Sequence, residues 1–312
     1  MNIALISEYN TSNVPYMLMK AINEYTDDCA RLICRHEQWR YKDYKDIILD
    51  IESDANEAAD IIKNADIIHI FDTMFNFAGI NIRNIMNRNN SLVQYLYNYT
   101  SRFRGDIFRF HVSTQIIGVC CWSAAFWQHV PSPIYHITQM FDYSKVKPIN
   151  PWKPGDKVVI AHAPTDRQLK GSEFFIQAIE KLKAKGRKDF EFILIENKTF
   201  EEALKLKSQA HIYLEELNMG AYSMNSVECM AMGQTVFCYL DYLTLSYLPN
   251  CPIVNVNKYN IVEQLERFLD NPTLINDNIS RNLDWVIQKH DPEKVVKQYY
   301  YLYRYIKYQH QG

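Results

Sequence analysis

Twice along this chain, short apolar runs alternate with segments of helical period, and a proline-rich stretch divides the two series. In the first series the pattern predicts strands at Ile3–Ile6, Ala30–Cys34, Ile67–Phe71, Leu92–Tyr97 and Gly118–Trp122. Between them it predicts helices at Pro15–Glu24, Tyr44–Asn64, Ile80–Asn87 and Asp106–His111. Strand and helix alternation of this kind implies parallel sheets with helices on both faces. The divider is Phe141–Lys157, where Pro148, Pro151, Pro154 and Gly155 forbid a continuous helix and Trp152 is placed to pin the segment. A chain of 312 residues with 47% hydrophobic content can fill two cores. The expected fold is therefore α/β with two Rossmann-like, doubly wound domains facing a central cleft and a C-terminal helix crossing back. The expected boundaries are 1–147, a linker at 148–156, a second domain at 157–290 and a terminal helix at 291–312.

Several classes are set aside by composition. A net charge of −2 argues against a general nucleic-acid binder. The chain opens directly on the strand-like NIALIS with no basic start and no apolar leader core, and the longest apolar stretch, Ile116–Trp127, is too short for a membrane span of about 20 residues. The seven cysteines form no C-x-x-C pair, which reads as reduced core thiols and a cytoplasmic protein.

The chemistry concentrates between Lys157 and Tyr239. Val158–Ala161 is a strand that feeds a loop with Arg167 and Lys170. After Gly171 an amphipathic helix places Phe174, Phe175, Ala178, Ile179 and Leu182 on one face. Two cations beside a helix start can neutralise a diphosphate, with backbone amides adding donors, although such charges also serve simply as solvated side chains. Further on, Val227–Met232 is a short apolar helix stopped by Gly233 and followed by the buried strand TVFCYL. Glu228 lies in its first or second turn, where a carboxylate suits either a cap or the two hydroxyls of a ribose.

These residues resemble the nucleotide-binding domain of the retaining GT-B glycosyltransferases, the group 1 or family 4-like members. The family's R-x-x-K-G loop matches Arg167, Lys170 and Gly171, and its E-A-M-A-x-G-x-P-V helix matches Glu228, Met230, Ala231, Gly233 and Val236. His162 and Pro164 before the basic loop also match, as does the tail from Trp285. The resemblance implies a glycosyltransferase that uses a nucleotide-diphosphate sugar, UDP-sugar first, with retention and with no cofactor. Arg167 and Lys170 are its expected catalytic charges, and alanine at either is expected to lower the rate with folding nearly unchanged. The expected donor site adds His162, Gly171, Asn197 in the loop that meets the base, Gly220, Tyr222, Ser223 and Glu228. The family carries a further glutamate at the position held here by Gly220. Glu215 and Glu216 are close by but at a different spacing. No D-x-D occurs, so the reaction is expected to run without a metal.

The first half resembles the family only loosely. By analogy its acceptor contacts fall on Asp72, Tyr99, Ser101, Arg102 and Arg104, with Thr73 and Thr100 beside them. Arg83, Arg88, Arg102, Arg104 and Arg109 face a single acid, Asp106, between Asn81 and His111, with Tyr95, Tyr97 and Tyr99 interleaved. Such a patch suits an anionic acceptor or simply rims the sheet. The acceptor is accordingly a glycan, a lipid or a modified DNA base, and the oligomeric state is not legible. A nucleotide-sugar epimerase and an inactive GT-B scaffold are the competing readings.

Overall fold

The computed structural model describes residues 1–10, 13–36, 47–48, 55–71, 76–77, 79–86, 90–95, 117–120 and 134–308. The chain divides into two compact units. One comprises Met1–Met140 with His290–Gly312, and the other is Phe141–Lys289.

In the first unit the strands are β1 (Asn2–Tyr9), β2 (Cys29–His36), β3 (Ile47–Ile48), β4 (Ile67–Phe71), β5 (Asn76–Phe77), β6 (Ile80–Asn81), β7 (Ser91–Tyr95), β8 (Ile117–Cys120) and β9 (Ile134–His136). Seven of them form a parallel sheet in the order β3-β2-β1-β4-β7-β8-β9, with Leu5 opposite Leu32 on one side and His69 on the other. Central strands buried on both faces need continuous apolar runs, and β4 is buried along its whole length. Helix α1 (Val14–Tyr25) carries Pro15 at its start and buries Val14, Met17, Leu18, Ala21 and Ile22, a spacing that keeps one face apolar. The C-terminal helix Pro292–Tyr308 adds Val295, Val296, Tyr299, Leu302, Tyr303 and Ile306 to the same core.

Two predicted helices are corrected. Where a helix is expected over Tyr44–Asn64, Ile47 and Ile48 pair with Ile33 and Cys34 as β3, and the described helix α2 spans Ala55–Lys63. The segment expected to be helical from Ile80 pairs β5 with β6 as an antiparallel ribbon around Gly79, whose φ of 73° suits a tight turn, before one 3-10 turn at Ile82–Asn84. The predicted helix at 106–111 lies outside the described residues.

The second unit has a five-stranded parallel sheet in the order β11-β10-β12-β13-β14. Its strands are β10 (Val158–His162), β11 (Phe190–Leu194), β12 (Ile212–Leu214), β13 (Thr235–Cys238) and β14 (Val254–Asn255). The helices are α3 (Arg167–Lys170), α4 (Ser172–Ala184), α5 (Phe200–Lys207), α6 (Met224–Ala231), α7 (Tyr242–Tyr247), α8 (Ile261–Asp270) and α9 (Thr273–His290). Phe175, Ala178, Ile179 and Leu182 of α4 pack with Phe237, Leu265 and Phe268 in one core. Thr199 and Glu202 start α5 by exchanging side-chain and backbone hydrogen bonds. The proline-rich stretch belongs to this unit: Trp152 N–H donates to Asn276 Oδ1 at 3.0 Å, Asn276 returns a bond to the Trp152 carbonyl at 2.9 Å, and the indole N–H reaches the Asp156 carbonyl. The division between the two units falls between Met140 and Phe141, ahead of the prolines.

Candidate donor site

In a 2-1-3-4-5 sheet the strand order reverses between the first and third strands, and ligands bind beyond the carboxyl ends of those strands. Here the reversal lies between β10 and β12. The segment after β10 carries Arg167 and Lys170, and the segment after β12 carries Glu215 to Ser223 and leads into α6 with Glu228. Sheet order thus brings the two sequence motifs to one edge.

After β10 the chain makes a single helical turn where a loop was expected. Asp166 starts it by accepting the Leu169 amide at 2.8 Å, and Gly171 ends it at φ 66°. Gly171 also opens α4, and a Cβ there would lie 3.2 Å from both Leu217 and Asn218, so the two switch-point segments touch across this glycine. Arg167 projects outward with about half its side chain exposed. Its Nε and Nη2 each donate to Glu196 at 2.7 Å, and Nη1 donates to Glu173 at 3.2 Å. Glu196 holds the guanidinium above its usual pKa, and the guanidinium holds Glu196 below the usual carboxylate range. Asn197, next to Glu196 after β11, is exposed and takes a left-handed φ of 54°.

Lys170 differs from Arg167 in being buried. Its ammonium donates to Glu215, whose side chain is fully enclosed. Burial works against both charges, but their mutual attraction prevails: the lysine titrates above its ordinary value and the glutamate below. The same Glu215 oxygen accepts the Ser223 hydroxyl at 2.6 Å, and Ser223 Oγ in turn accepts the Asn225 amide at the start of α6. The basic turn is therefore bonded through Glu215 to Ser223, the N-cap of the helix that carries Glu228.

Glu216 builds the intervening segment. Its Oε2 accepts the amides of Asn218, at 2.8 Å, and Met219, while its Oε1 accepts those of Gly220 and Ala221 at 3.0 and 3.2 Å. Burial nonetheless lifts its pKa to about 7, against the pull of those amides. Wrapping four amides around one carboxylate forces Gly220 to φ 78°, with its α-carbon turned toward Asp241, whose Oδ2 would lie 2.9 Å from an added Cβ. A glutamate at this position would take a strained left-handed backbone and meet the Asp241 side chain. Tyr222 is buried edge-on against Trp285.

His162, expected among the donor contacts, is turned inward. Nδ1 donates to the Leu214 carbonyl and Nε2 accepts the Ser172 hydroxyl, both at 2.7 Å, and none of the residue is exposed. Burial holds it neutral, with its pKa lowered to about 4. It ties β10, β12 and the first turn of α4 together. Glu228 lies in the second turn of α6, 9% exposed, bonded through Oε2 to the ammonium of Lys207, itself 2% exposed. Lys207, Glu196 and Asp166 also bond to these groups: Lys207 to Glu228, Glu196 to Arg167, and Asp166 to the Leu169 amide. A lysine in an ordinary helix-ending position carries no signal that it turns inward, whereas the paired glutamates closing an apolar strand were a visible anomaly.

Asp72, Thr73, Tyr99, Thr100, Ser101, Arg102 and Arg104 lie outside the described residues, as do Arg88 and Arg109. Among the described residues no three His, Cys, Asp or Glu side chains come together to hold a metal ion, and no helix is long and apolar enough to cross a membrane.

The fold is that of the GT-B glycosyltransferases of known structure. A glycosyltransferase from Rickettsia africae superposes with a TM-score of 0.68 at 13% identity, over 97% of this chain and 98% of that one. Anabaena HepE, solved with UDP and glucose, gives 0.64 at 10% identity over 97% and 99%. A UDP-GlcNAc 2-epimerase from Neisseria meningitidis bound to UDP-GlcNAc gives 0.54 at 12% identity over 97% and 99%. No family model matches the sequence. No curated protein matches it either.

Proposed function

We propose that this chain is a glycosyltransferase that takes a sugar from a nucleoside-diphosphate donor, a UDP-sugar first, and transfers it with retention and without a metal. The observation that carries this reading is the bonded path from Lys170 through Glu215 to Ser223, which joins a basic turn to the helix bearing Glu228 at the switch point of a parallel sheet. In it, Arg167 and Lys170 meet the diphosphate and Glu228 meets the ribose. An ammonium has three protons and Glu215 takes one, so Lys170 keeps donors for a phosphate oxygen. As the bond to the sugar breaks, negative charge grows on the departing diphosphate, and fixed cations and amides lower the barrier most where charge develops. Amides at the start of α6 add to them. Retention is carried over from the resemblance of the R-x-x-K-G and E-x-M-A motifs. The acceptor, whether glycan, lipid or DNA base, falls to the first unit.

Melting the protein with UDP, GDP and ADP in turn tests the donor reading, because a ligand that binds only the folded state raises the melting temperature. UDP is expected to give the largest shift, and no shift with any of the three sinks the proposal. The epimerase fold neighbour supports a second reading. Incubation with UDP-sugars and no acceptor separates the two: an epimerase equilibrates the free nucleotide sugar, whereas a transferase leaves its configuration intact. Turnover with an acceptor is expected to survive chelation by EDTA, and loss of activity restored by Mg²⁺ or Mn²⁺ contradicts the metal-free mechanism.

A further inference from the structure

Lys207 ends helix α5, in a position where lysines normally extend into water. Here it is 2% exposed and fixed at both ends. Its carbonyl accepts the side-chain amide of Gln234, which also donates to the Ala210 carbonyl at 2.8 Å. Its ammonium donates to Glu228 Oε2 and, at 3.0 Å, to Asn225 Oδ1. Glu228 Oε1 has no hydrogen-bond partner among the described residues. Enclosing a lysine ammonium is expensive unless it is paired and hydrogen-bonded, and this one gains a carboxylate on the donor-facing helix.

We infer that Lys207 is a positioning residue for the donor ribose: by occupying Oε2 it fixes the plane of the Glu228 carboxylate and leaves Oε1 as the acceptor for the ribose hydroxyls. The preference for a ribonucleotide over its 2′-deoxy counterpart then depends on a lysine that does not touch the nucleotide. The inference rests on the reading of Glu228 as the ribose ligand. Glu215, the second carboxylate near this ammonium, is already engaged by Lys170 and Ser223, so Glu228 is the group that Lys207 orients.

The test compares binding of UDP, GDP or ADP, whichever the wild-type protein binds, with binding of the 2′-deoxy form of the same nucleotide, in wild type, Lys207→Met and Asn225→Ala. A hydrogen bond to a charged group is worth roughly a tenfold or greater preference for the ribonucleotide in wild type. Lys207→Met is expected to bring the two affinities to within about twofold, as an unfixed carboxylate loses that bond. A structural role alone would weaken both nucleotides by the same factor, and an unchanged ratio overturns the inference while leaving the donor reading standing. If Lys207→Met does not fold, Asn225→Ala decides. It keeps both charges but releases one of the two acceptors that hold the ammonium, so the preference is expected to fall severalfold, and an unchanged preference again overturns the inference. Wild-type protein that binds a nucleotide without preferring ribose overturns it too, and wild-type protein that binds no nucleotide removes the donor reading along with it.

Discussion

Arg167 and Lys170 look equivalent in an R-x-x-K-G motif, but burial separates them. Arg167 makes its ion pairs at the surface, where such pairs contribute little to stability. Arg167→Ala is therefore expected to reduce turnover on the order of 10²-fold, as loss of a charge at the leaving group does, with an unchanged melting temperature. Unreduced turnover would remove it from the site. Lys170→Ala instead strands the enclosed Glu215 carboxylate, and breaking a buried pair in this way costs about 3–5 kcal/mol. Denaturant melts are expected to show that loss, with partial recovery when Glu215→Ala is added, whereas unchanged stability would mean that alanine at Lys170 spares folding. His162 makes a pH prediction. The unfolded imidazole takes up its proton near 6.5 and the folded one only near 4, so stability is lost as the pH falls through that window, by about 3 kcal/mol. Glu216, lifted to about 7, acts with the opposite sign: stability from this group is lost as the pH rises from about 4.5 to about 7. Unfolding curves of His162→Gln and Glu216→Gln against pH separate the two. If His162→Gln loses as much stability between pH 6.5 and 4 as wild type does, the buried neutral histidine is not its source.

At the scale of elements, the segment from Glu215 to Ser223 shows how one buried carboxylate sets a backbone. Four successive amides converge on Glu216, the chain passes through a positive φ at Gly220, and Asp241 closes the space beyond it. Gly220→Glu, which restores the family's glutamate in sequence, is expected to destabilise the fold by at least about 1–2 kcal/mol from the left-handed backbone alone, with repulsion from Asp241 added. It is also expected to bring no gain in turnover. A variant as stable as wild type in denaturant and more active would show that this segment has a different shape. Glycine here is legible as a departure from the motif, but its reason is not, because which amides Glu216 gathers and that Asp241 closes the space beyond are decided by tertiary contacts. Arg167 and Lys170 were legible as neighbours, whereas the Asp166-capped turn that sends one outward and the other inward was not.

For the molecule as a whole, chain order and folding unit do not coincide. The C-terminal helix follows the second unit in sequence but completes the core of the first, with Tyr303 among its most deeply buried side chains and its hydroxyl bonded to His69 at 2.7 Å. Arg304 also reaches Asp28, which the chain's N-terminal amine bonds as well. Removing residues 291–312 is expected to unfold the first unit while protection persists in the second, as followed by amide hydrogen exchange. Equal loss of protection in both units would contradict this division. The sequence by itself determined the doubly wound α/β class, the existence of two series of strands and the position of the basic and acidic motifs, because periodicity, glycines and prolines act over a few residues. It misplaced the elements at Ile47 and Ile80, where two-residue strands are fixed by their partners in the sheet and not by local pattern. Only the tertiary structure decided that the two motifs meet, since strand order sets which carboxyl ends are adjacent. It also decided that His162 faces inward and that Lys207 backs Glu228, because a side chain's burial and partners depend on residues tens of positions away.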